Sequence, residues 1–379
     1  MDMEFRDLKR QYQLHKIEID TVIQSVLNHA DFISGSKVKQ LEQELSEYVS
    51  VKHCITCANG TDALQIALMT WNIGNGDAVF VPDFTFFSSG EVVSLVGATP
   101  VFVDIDEDTY NISSDSLETA IEHVIHNTNL RPRVIVAVDL FGQPADFGRI
   151  RQIADKYNLL VLEDAAQGFG GKIGEKKACS FGDIATTSFF PAKPLGCYGD
   201  GGAIFTNSDE WAELIRSYCV HGRGKDKYDN VRIGMNSRLD TLQAAVLLEK
   251  KKFFDVEIEK CNQAAEEYTR QLKEVVNTPV VKDGMYSSWA QYTICFQSDE
   301  KRELVMKFLR EKGIPTAVYY RKPMHMQGAF EKNVVAELDY RITEKICNCC
   351  LSLPMHAYLD ERDIRTVSNM VVQSMEIRI

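Results

Sequence analysis

The chain has 379 residues, of which 45% are hydrophobic and 25% charged, as is ordinary for a soluble globular protein. This length suits a large domain with a smaller one rather than a single small core. The formal net charge of −12 disfavours nucleic acid and anionic membranes as partners, because both attract basic surfaces. No apolar run is long enough to span a bilayer, and the first residues do not resemble a signal peptide, so we expect a cytoplasmic protein.

Two helices are predicted first in the chain. Apolar residues recur at helical spacing between Ile19 and Leu27, and a second helix is predicted over 38–48. From residue 53 to 207, short β-rich runs alternate with helical patterns, which predicts an α/β fold with a largely parallel sheet covered by helices. The predicted strands are 53–56, 78–81, 100–104, 134–140, 159–162, 184–190 and 203–206.

A long helix beginning at Thr241 is predicted to lead into a smaller domain. We therefore predict an N-terminal helical segment over 1–33, a large α/β domain over 34–251 and a small α+β domain over 252–379. Of the ten cysteines, Cys54 and Cys57 have zinc-like or redox spacing. They lie in an apolar strand-like run without a second pair, so reduced core thiols are favoured over a metal site.

Lys193 lies in the turn between the strand-like runs 184–190 and 203–206, beside two phenylalanines, a proline and several glycines. A lysine that is partly removed from water loses proton affinity and becomes a usable amine nucleophile, as Schiff-base chemistry requires. An ordinary lysine in a surface turn is equally compatible with this stretch alone.

Asp164 follows the apolar run 159–162. Open α/β sheets place ligand-contacting groups at the carboxyl ends of their strands, and a carboxylate there can keep the pyridine nitrogen of pyridoxal phosphate protonated. In that arrangement, Lys193 would bind the aldehyde of the cofactor. The alternative for Asp164 is the N-cap of a helix, a common position for Asp after a strand.

An anion seat is predicted where Asn59, Gly60, Thr61 and Asp62 separate the strand 53–56 from an apolar helix. Small residues and a hydroxyl at a helix N-terminus leave backbone N–H groups free to bind a phosphate. Taken alone, Asn-Gly is also a common turn.

Taken together and in their order along the chain, these segments resemble the sugar-nucleotide aminotransferases of the DegT/StrS type, which use pyridoxal 5'-phosphate. The resemblance extends from Phe5 to about Pro354. It implies the aspartate-aminotransferase-like (type I) fold, with a large, mostly parallel sheet between helices and a smaller C-terminal α+β domain. The matching motifs are Ala58-Asn-Gly-Thr-Asp-Ala-Leu, Glu163-Asp-Ala-Ala-Gln, Ser188-Phe-Phe-Pro-Ala-Lys-Pro-Leu-Gly, Gly199-Asp-Gly-Gly-Ala, and His221-Gly through Asn236-Ser-Arg-Leu-Asp.

The resemblance also implies roles for cofactor-binding residues. Phe86 would cover one face of the cofactor ring, although Phe84 and Phe87 are alternatives at this position. Gln167 would contact the ring oxygen, or serve as a satisfied buried amide. Phosphate would be bound by Ser188 and by the start of the helix, at Gly60, Thr61 and Asp62.

Asn236 matches the residue that, in this family, reaches the phosphate of the neighbouring subunit, which implies a homodimer with shared sites. Lys193 and Asp164 would be the catalytic residues. Members with histidine in place of the lysine catalyse dehydration instead, so Lys193 favours transamination, with L-glutamate expected as the amino donor.

The expected acceptor is a nucleotide-linked ketosugar. Arg238 is the candidate clamp for a substrate carboxylate, and Tyr319, Tyr320 and His325 lie in a segment similar to the family's substrate loop. Tyr319 stands where many members have histidine. The resemblance is closest to members that aminate C3 of UDP-2-acetamido-2-deoxy-3-oxo-glucuronate for surface polysaccharide. The alternatives are members acting on dTDP- or UDP-linked 6-deoxy-ketosugars and a catalytically silent, cofactor-binding regulator.

Overall fold

The computed structural model describes residues 3–226, 228–331, 335 and 338–377. Helices of the described chain fall into an N-terminal group, a group that alternates with strands, and a C-terminal group. They are α1 (Leu8–Leu14), α2 (Lys16–His29), α3 (Ser36–Val49), α4 (Gly60–Thr70), α5 (Ser88–Leu95), α6 (Ser114–Asn127), α7 (Phe147–Tyr157), α8 (Asp209–Tyr218), α9 (Thr241–Leu272), α10 (Asp299–Glu311), α11 (Arg341–Cys349) and α12 (Glu361–Met375).

The strands of the described chain are β1 (His53–Cys57), β2 (Asp77–Pro82), β3 (Thr99–Val103), β4 (Arg131–Val138), β5 (Leu160–Asp164), β6 (Lys172–Ile173), β7 (Lys176–Lys177), β8 (Ile184–Ser188), β9 (Gly202–Thr206), β10 (Met285–Tyr286), β11 (Tyr292–Cys295) and β12 (Cys350–Leu353). Seven of them form a central sheet with the strand order β1-β9-β8-β5-β4-β2-β3. Neighbouring strands are parallel from β8 to β3, whereas β9 is antiparallel to both of its neighbours.

The sheet is buried on both faces, as expected for strands that are joined by crossover helices. Every residue of β2 is buried, and β4 is buried over its last five residues. On β5, Asp164 pairs in register with Val138 of β4 and Thr186 of β8. The carboxyl ends of these strands therefore meet at one edge of the sheet, which is where a ligand site is expected in such a fold.

A second core lies in the C-terminal part of the chain. The first half of α9 packs against the central sheet through Leu247, Phe254 and Ile258. From Cys261 onwards, the same helix packs with β11, β12, α10 and α12 around Tyr268. The domain boundary predicted between residues 251 and 252 thus falls inside one continuous helix.

The predicted strands are all present, but two of them end two residues early. The strand predicted over 134–140 ends at Val138, and a 3₁₀ turn follows at Leu140–Gly142. The strand predicted over 184–190 ends at Ser188, because the N–H of Phe190 turns back to donate to the Ser188 hydroxyl at 3.3 Å. The run of apolar residues continues beyond each strand into a turn, so the apolar pattern alone did not show where the strands end.

All ten cysteines lie in the described part of the chain, and each is buried and unpaired. Among the described residues, no helix combines the length and apolar character needed to cross a bilayer.

Candidate active site

A cavity of about 720 Å³ lies at the carboxyl edge of the parallel strands. Its walls come from the start of α4, the segment between β2 and α5, the end of β5, the β8–β9 turn and residues 319–327. Lys193 and Asp164 both line it. The structure therefore brings together two side chains that are 29 residues apart in the sequence and were predicted to share a site.

Lys193 is held by its backbone in the β8–β9 turn. Its N–H donates to the Phe190 carbonyl at 2.8 Å, and its carbonyl accepts from Arg6 at 3.2 Å. Within the described chain, its Nζ has no hydrogen-bond partner. Burial lowers the pKa of Lys193, opposed by the charge of Asp164 and assisted by that of Arg6. The amine is thus open to the cavity and poised to react as a nucleophile.

Asp164 is 5% exposed at the end of β5. Its Oδ2 accepts from the Ser89 hydroxyl at 2.8 Å, and its Oδ1 accepts from the N–H of Ala166 at 3.2 Å. Burial raises the pKa of Asp164, opposed by these two hydrogen bonds and by the charge of Lys193. Residues 165–170 form turns rather than a helix, so the N-cap interpretation is not supported.

Glu163 faces away from the cavity, as the alternation of a strand requires. It is fully buried, and its carboxylate accepts from the N–H groups of Cys179, Phe181 and Gly182. Burial raises the pKa of Glu163 to about 7, opposed by these three hydrogen bonds. Glu163 thus anchors the end of β5 from behind, which fixes the direction of the neighbouring Asp164 side chain.

The start of α4, which was predicted to bind an anion, has free backbone donors. In the described chain, the N–H groups of Gly60 and Thr61 have no acceptor and lie beside Ser188. A Cβ on Gly60 would lie 2.7 Å from the Cβ of Ser188, so glycine is needed for this close approach. Asp62 was also predicted to bind the phosphate, but its N–H already donates to the side chain of Asn59 at 2.8 Å and so caps the helix.

Of three neighbouring phenylalanines, only Phe86 presents a largely exposed ring at the cavity, with 53% of its surface accessible. Phe84 is 1% exposed, and Phe87 packs on Phe330 with ring centroids 5.2 Å apart. The position of Phe86 is that expected of a ring that covers a planar ligand.

Gln167 also lines the cavity, but both groups of its amide have protein partners. Its Oε1 accepts from the N–H of Phe141 at 2.8 Å, and its Nε2 donates to the Tyr320 hydroxyl at 3.1 Å. One amide proton of Gln167 remains free to donate to a ligand. Tyr320 packs against Phe84 and Phe86, and Tyr319 lies next to it on the cavity wall.

His325 was predicted to bind substrate, but the structure places it outside the wall of the cavity. Its Nδ1 lies 2.7 Å from Oδ2 of Asp83, and its ring stacks on Tyr340 at 4.2 Å. Burial opposes the charged form of His325, yet Asp83 raises its pKa above the ordinary value. His325 therefore ties the segment after Pro323 to the end of β2.

Asn236 and Arg238 are not among the residues that line the cavity of this chain. Asn236 is exposed, and Arg238 is partly buried. Between them, the Ser237 hydroxyl accepts from the N–H of Ala58 at 3.1 Å, so the segment is fastened beside the strand that leads to α4. A single chain does not bring Arg238 to a substrate in this cavity.

Sequence reasoning missed two contributors to the site. Ser89, which donates to Asp164, lies three residues after Phe86, and this helical spacing could have indicated that both face one side. Among the described residues, Lys193 and Lys322 are the basic side chains that line the cavity, and the Nζ of Lys322 has no hydrogen-bond partner there. Nothing in its local sequence distinguishes it from an exposed lysine.

The fold and the cavity are those of the type I pyridoxal-phosphate class. The chain belongs to the DegT/DnrJ/EryC1/StrS aminotransferase family, whose model matches residues 13–372. The predicted fold class and enzyme class are thereby confirmed.

Two named relatives span nearly the whole chain. The UDP-2-acetamido-2-deoxy-3-oxo-D-glucuronate aminotransferase of Pseudomonas aeruginosa is 46% identical over 366 residues, covering 96% of this chain and 98% of that protein. A pleiotropic regulatory protein of Geobacillus stearothermophilus is 41% identical over 377 residues, covering 98% of each chain.

Solved structures agree with the family assignment. A DegT/DnrJ/EryC1/StrS aminotransferase from Brucella abortus superposes with a TM-score of 0.96 at 46% identity, over 99% of this chain and 100% of that chain. The Bacillus subtilis protein ntda, solved with the bound cofactor PMP, has a TM-score of 0.87 at 32% identity, over 96% of this chain and 82% of that chain.

Proposed function

We propose that this pyridoxal-phosphate-dependent aminotransferase transfers the amino group of L-glutamate to a nucleotide-linked ketosugar. The observation that carries the proposal is the pairing of the unpartnered Lys193 amine with the buried Asp164 carboxylate across one cavity. Family membership and the PMP-bound relative support the same cofactor chemistry.

The residues present fit this cofactor. Free N–H groups at Gly60 and Thr61, with the Ser188 hydroxyl, offer donors for a phosphate. Asp164 offers a buried anion for a pyridine nitrogen, and Phe86 offers a ring for one face. When bound, pyridoxal phosphate supplies an electron sink for the charge that develops as an amino-acid carbon loses its proton.

Lys193 would act twice. Its amine would bind the aldehyde of the cofactor and, once displaced by the donor, would carry a proton between the α-carbon of the donor and the carbonyl carbon of the cofactor. A lowered pKa suits both tasks, because each needs the neutral amine at neutral pH. The Ser89 hydroxyl would hold the Asp164 carboxylate in place throughout.

For the acceptor, we favour C3 of UDP-2-acetamido-2-deoxy-3-oxo-D-glucuronate, in the synthesis of bacterial surface polysaccharide. The name and full-length match of the Pseudomonas aeruginosa relative support this choice. Such a substrate carries a carboxylate, for which Lys322 on the cavity wall is the available cation among the described residues.

We also propose a homodimer in which Asn236 and Arg238 complete the site of the partner subunit. Their position outside the cavity of their own chain and the exposure of Asn236 support this arrangement. Mixing two inactive variants, Lys193→Ala and Asn236→Ala, should then restore about a quarter to a half of the expected sites. A monomer in light scattering at working concentration would contradict the shared site.

A panel of ketosugar nucleotides, assayed with glutamate, tests the function. We expect the 3-oxo-glucuronate nucleotide to be aminated about ten- to a hundredfold faster than dTDP-linked 6-deoxy-ketosugars, because the neutral sugars leave the site's cation unpaired. Comparing Lys322→Met with Arg238→Met identifies the cation, since only the true partner should flatten this preference. Equal rates on both substrate types in the wild type would contradict the choice of acceptor.

The second candidate is a cofactor-binding regulator, which the name of the Geobacillus stearothermophilus relative favours. A regulator and a transaminase differ in one observable property. A transaminase loses its visible cofactor absorbance when glutamate alone is added, whereas a silent regulator keeps it unchanged.

A further inference from the structure

Arg6 lies directly behind the lysine of the active site. Its Nη2 donates to the carbonyl of Lys193 and its Nη1 donates to the carbonyl of Ala290, each at 3.2 Å. One guanidinium therefore joins the N-terminal segment, the β8–β9 turn and the residues that precede β11. Arginine is suited to this task, because its planar fork can serve two fixed carbonyls at once.

The same turn is held at a second point. Lys250 of α9 is 2% exposed, and its Nζ donates to the carbonyl of Gly196. Two cations thus hold carbonyl groups of one turn from the side opposite the cavity. Neither side chain is among the residues that line the cavity.

Glu257 is the acid whose charge acts on Arg6, but no hydrogen bond joins these two side chains among the described residues. The carboxylate of Glu257 instead accepts from Gln11 at 2.9 Å and from the Tyr358 hydroxyl. The charge of Arg6 acts on Lys193, whose other charged neighbour is Asp164. The remaining titratable groups that interact with Arg6 are Cys261, Tyr319, Tyr358, Lys250 and His356.

We propose that Arg6 is a positioning residue for Lys193, fixing the backbone of the turn against Ala290 and holding a permanent positive charge behind the lysine amine. The inference rests on the proposed function, in which the Lys193 amine must be aimed and partly neutral. A fixed cation disfavours protonation of a neighbouring amine, so Arg6 opposes the attraction of Asp164 for the ammonium form. Removing Arg6 should therefore raise the pKa of Lys193.

The first test needs no cofactor and no turnover. Cofactor-free protein is labelled with acetic anhydride across a pH series, and modification of Lys193 is followed by peptide mass spectrometry. In Arg6→Met, the pH midpoint should rise by about one unit, as expected for losing one nearby charge. Arg6→Lys keeps the charge and should keep the wild-type midpoint.

A matched control lies four residues further along the chain, in α1. Arg10 is exposed, and it donates to the Tyr358 carbonyl at 2.9 Å without contacting Lys193. Arg10→Met should leave both the midpoint and the turnover unchanged. A shift in this variant equal to that in Arg6→Met would overturn the proposal, because the effect would then not require contact with the turn.

The turnover of the cofactor-loaded enzyme tests whether Arg6 positions Lys193. Arg6→Lys loses the two-carbonyl fork and should lower kcat about tenfold or more, with KM for the ketosugar nearly unchanged. An unshifted midpoint in folded Arg6→Met, or wild-type kcat in Arg6→Lys, would overturn the proposal. If Arg6→Met does not fold, Arg6→Lys decides alone. A shifted midpoint in a protein without any amino transfer would support the role of Arg6 and overturn the proposed function.

Discussion

Replacing Asp164 with Asn separates the chemical role of this carboxylate from a structural one. The amide keeps the size of the side chain but removes the negative charge that would hold a protonated pyridine nitrogen. A charge-assisted hydrogen bond of this kind contributes about 1.5–3 kcal/mol. We therefore expect the rate of amino transfer in Asp164→Asn to fall about ten- to 150-fold at neutral pH.

The same substitution should not lower the thermal stability of the cofactor-free protein. Burial raises the pKa of Asp164, so the empty site holds an anion that its surroundings disfavour. Asn removes that anion, and we expect Asp164→Asn without cofactor to unfold at the same temperature as the wild type or a higher one. Thermal unfolding with and without cofactor, together with steady-state rates, measures both effects.

Asp104 provides a matched control at the same edge of the sheet. It follows β3, is 5% exposed and accepts from Ile342 at 3.0 Å and from Thr343 at 2.8 Å, but it does not line the cavity. Asp104→Asn should lower stability by about 1–3 kcal/mol and leave cofactor absorbance unchanged. A rate in Asp164→Asn within twofold of the wild type would refute the assignment of Asp164.

Three further outcomes are expected. Lys193→Ala should abolish turnover while the circular dichroism spectrum stays native, and normal turnover would remove the central assignment. Gly60→Ala should weaken cofactor binding about tenfold or more in an equilibrium titration, because the new methyl meets Ser188; Gly328→Ala, with open space around it, should not. Burial lowers the pKa of His356, which is 8% exposed, to about 4. The unfolded chain therefore binds a proton between about pH 6.5 and pH 4 that the folded chain does not, and about 3 kcal/mol of stability is lost on acidification. His356→Gln should lose correspondingly less in urea titrations at pH 7 and pH 4.5, and equal losses would contradict the effect.

The sequence alone was sufficient to predict the parts of the candidate site that lie next to strand ends. Lys193, Asp164 and Ser188 each follow or end a β-rich run, and parallel strands necessarily bring their carboxyl ends together. The start of α4 was predictable for the same reason, because Gly60 follows β1 and opens an apolar helix.

Residues whose roles depend on packing between distant segments were not predictable. His325 turned out to bind Asp83, which lies 242 residues away in the sequence. The amide of Asp62 was taken by a local cap, a choice that depends on the side-chain rotamer of Asn59. Arg6 lies at the start of the segment that resembles the family, but no local pattern shows that an arginine will meet carbonyls elsewhere.

The contacts of Arg6 bear on the order in which the protein folds. They close sequence separations of 187 residues to Lys193 and 284 residues to Ala290. Contacts this remote form late, because the chain between them must first be ordered. During synthesis, the surroundings of Lys193 are complete only after Ala290 has left the ribosome and joined the large domain. We therefore expect the cofactor to be captured only in the final stage of folding, and we expect an N-terminal truncation that removes Arg6 to affect that stage while sparing the central sheet.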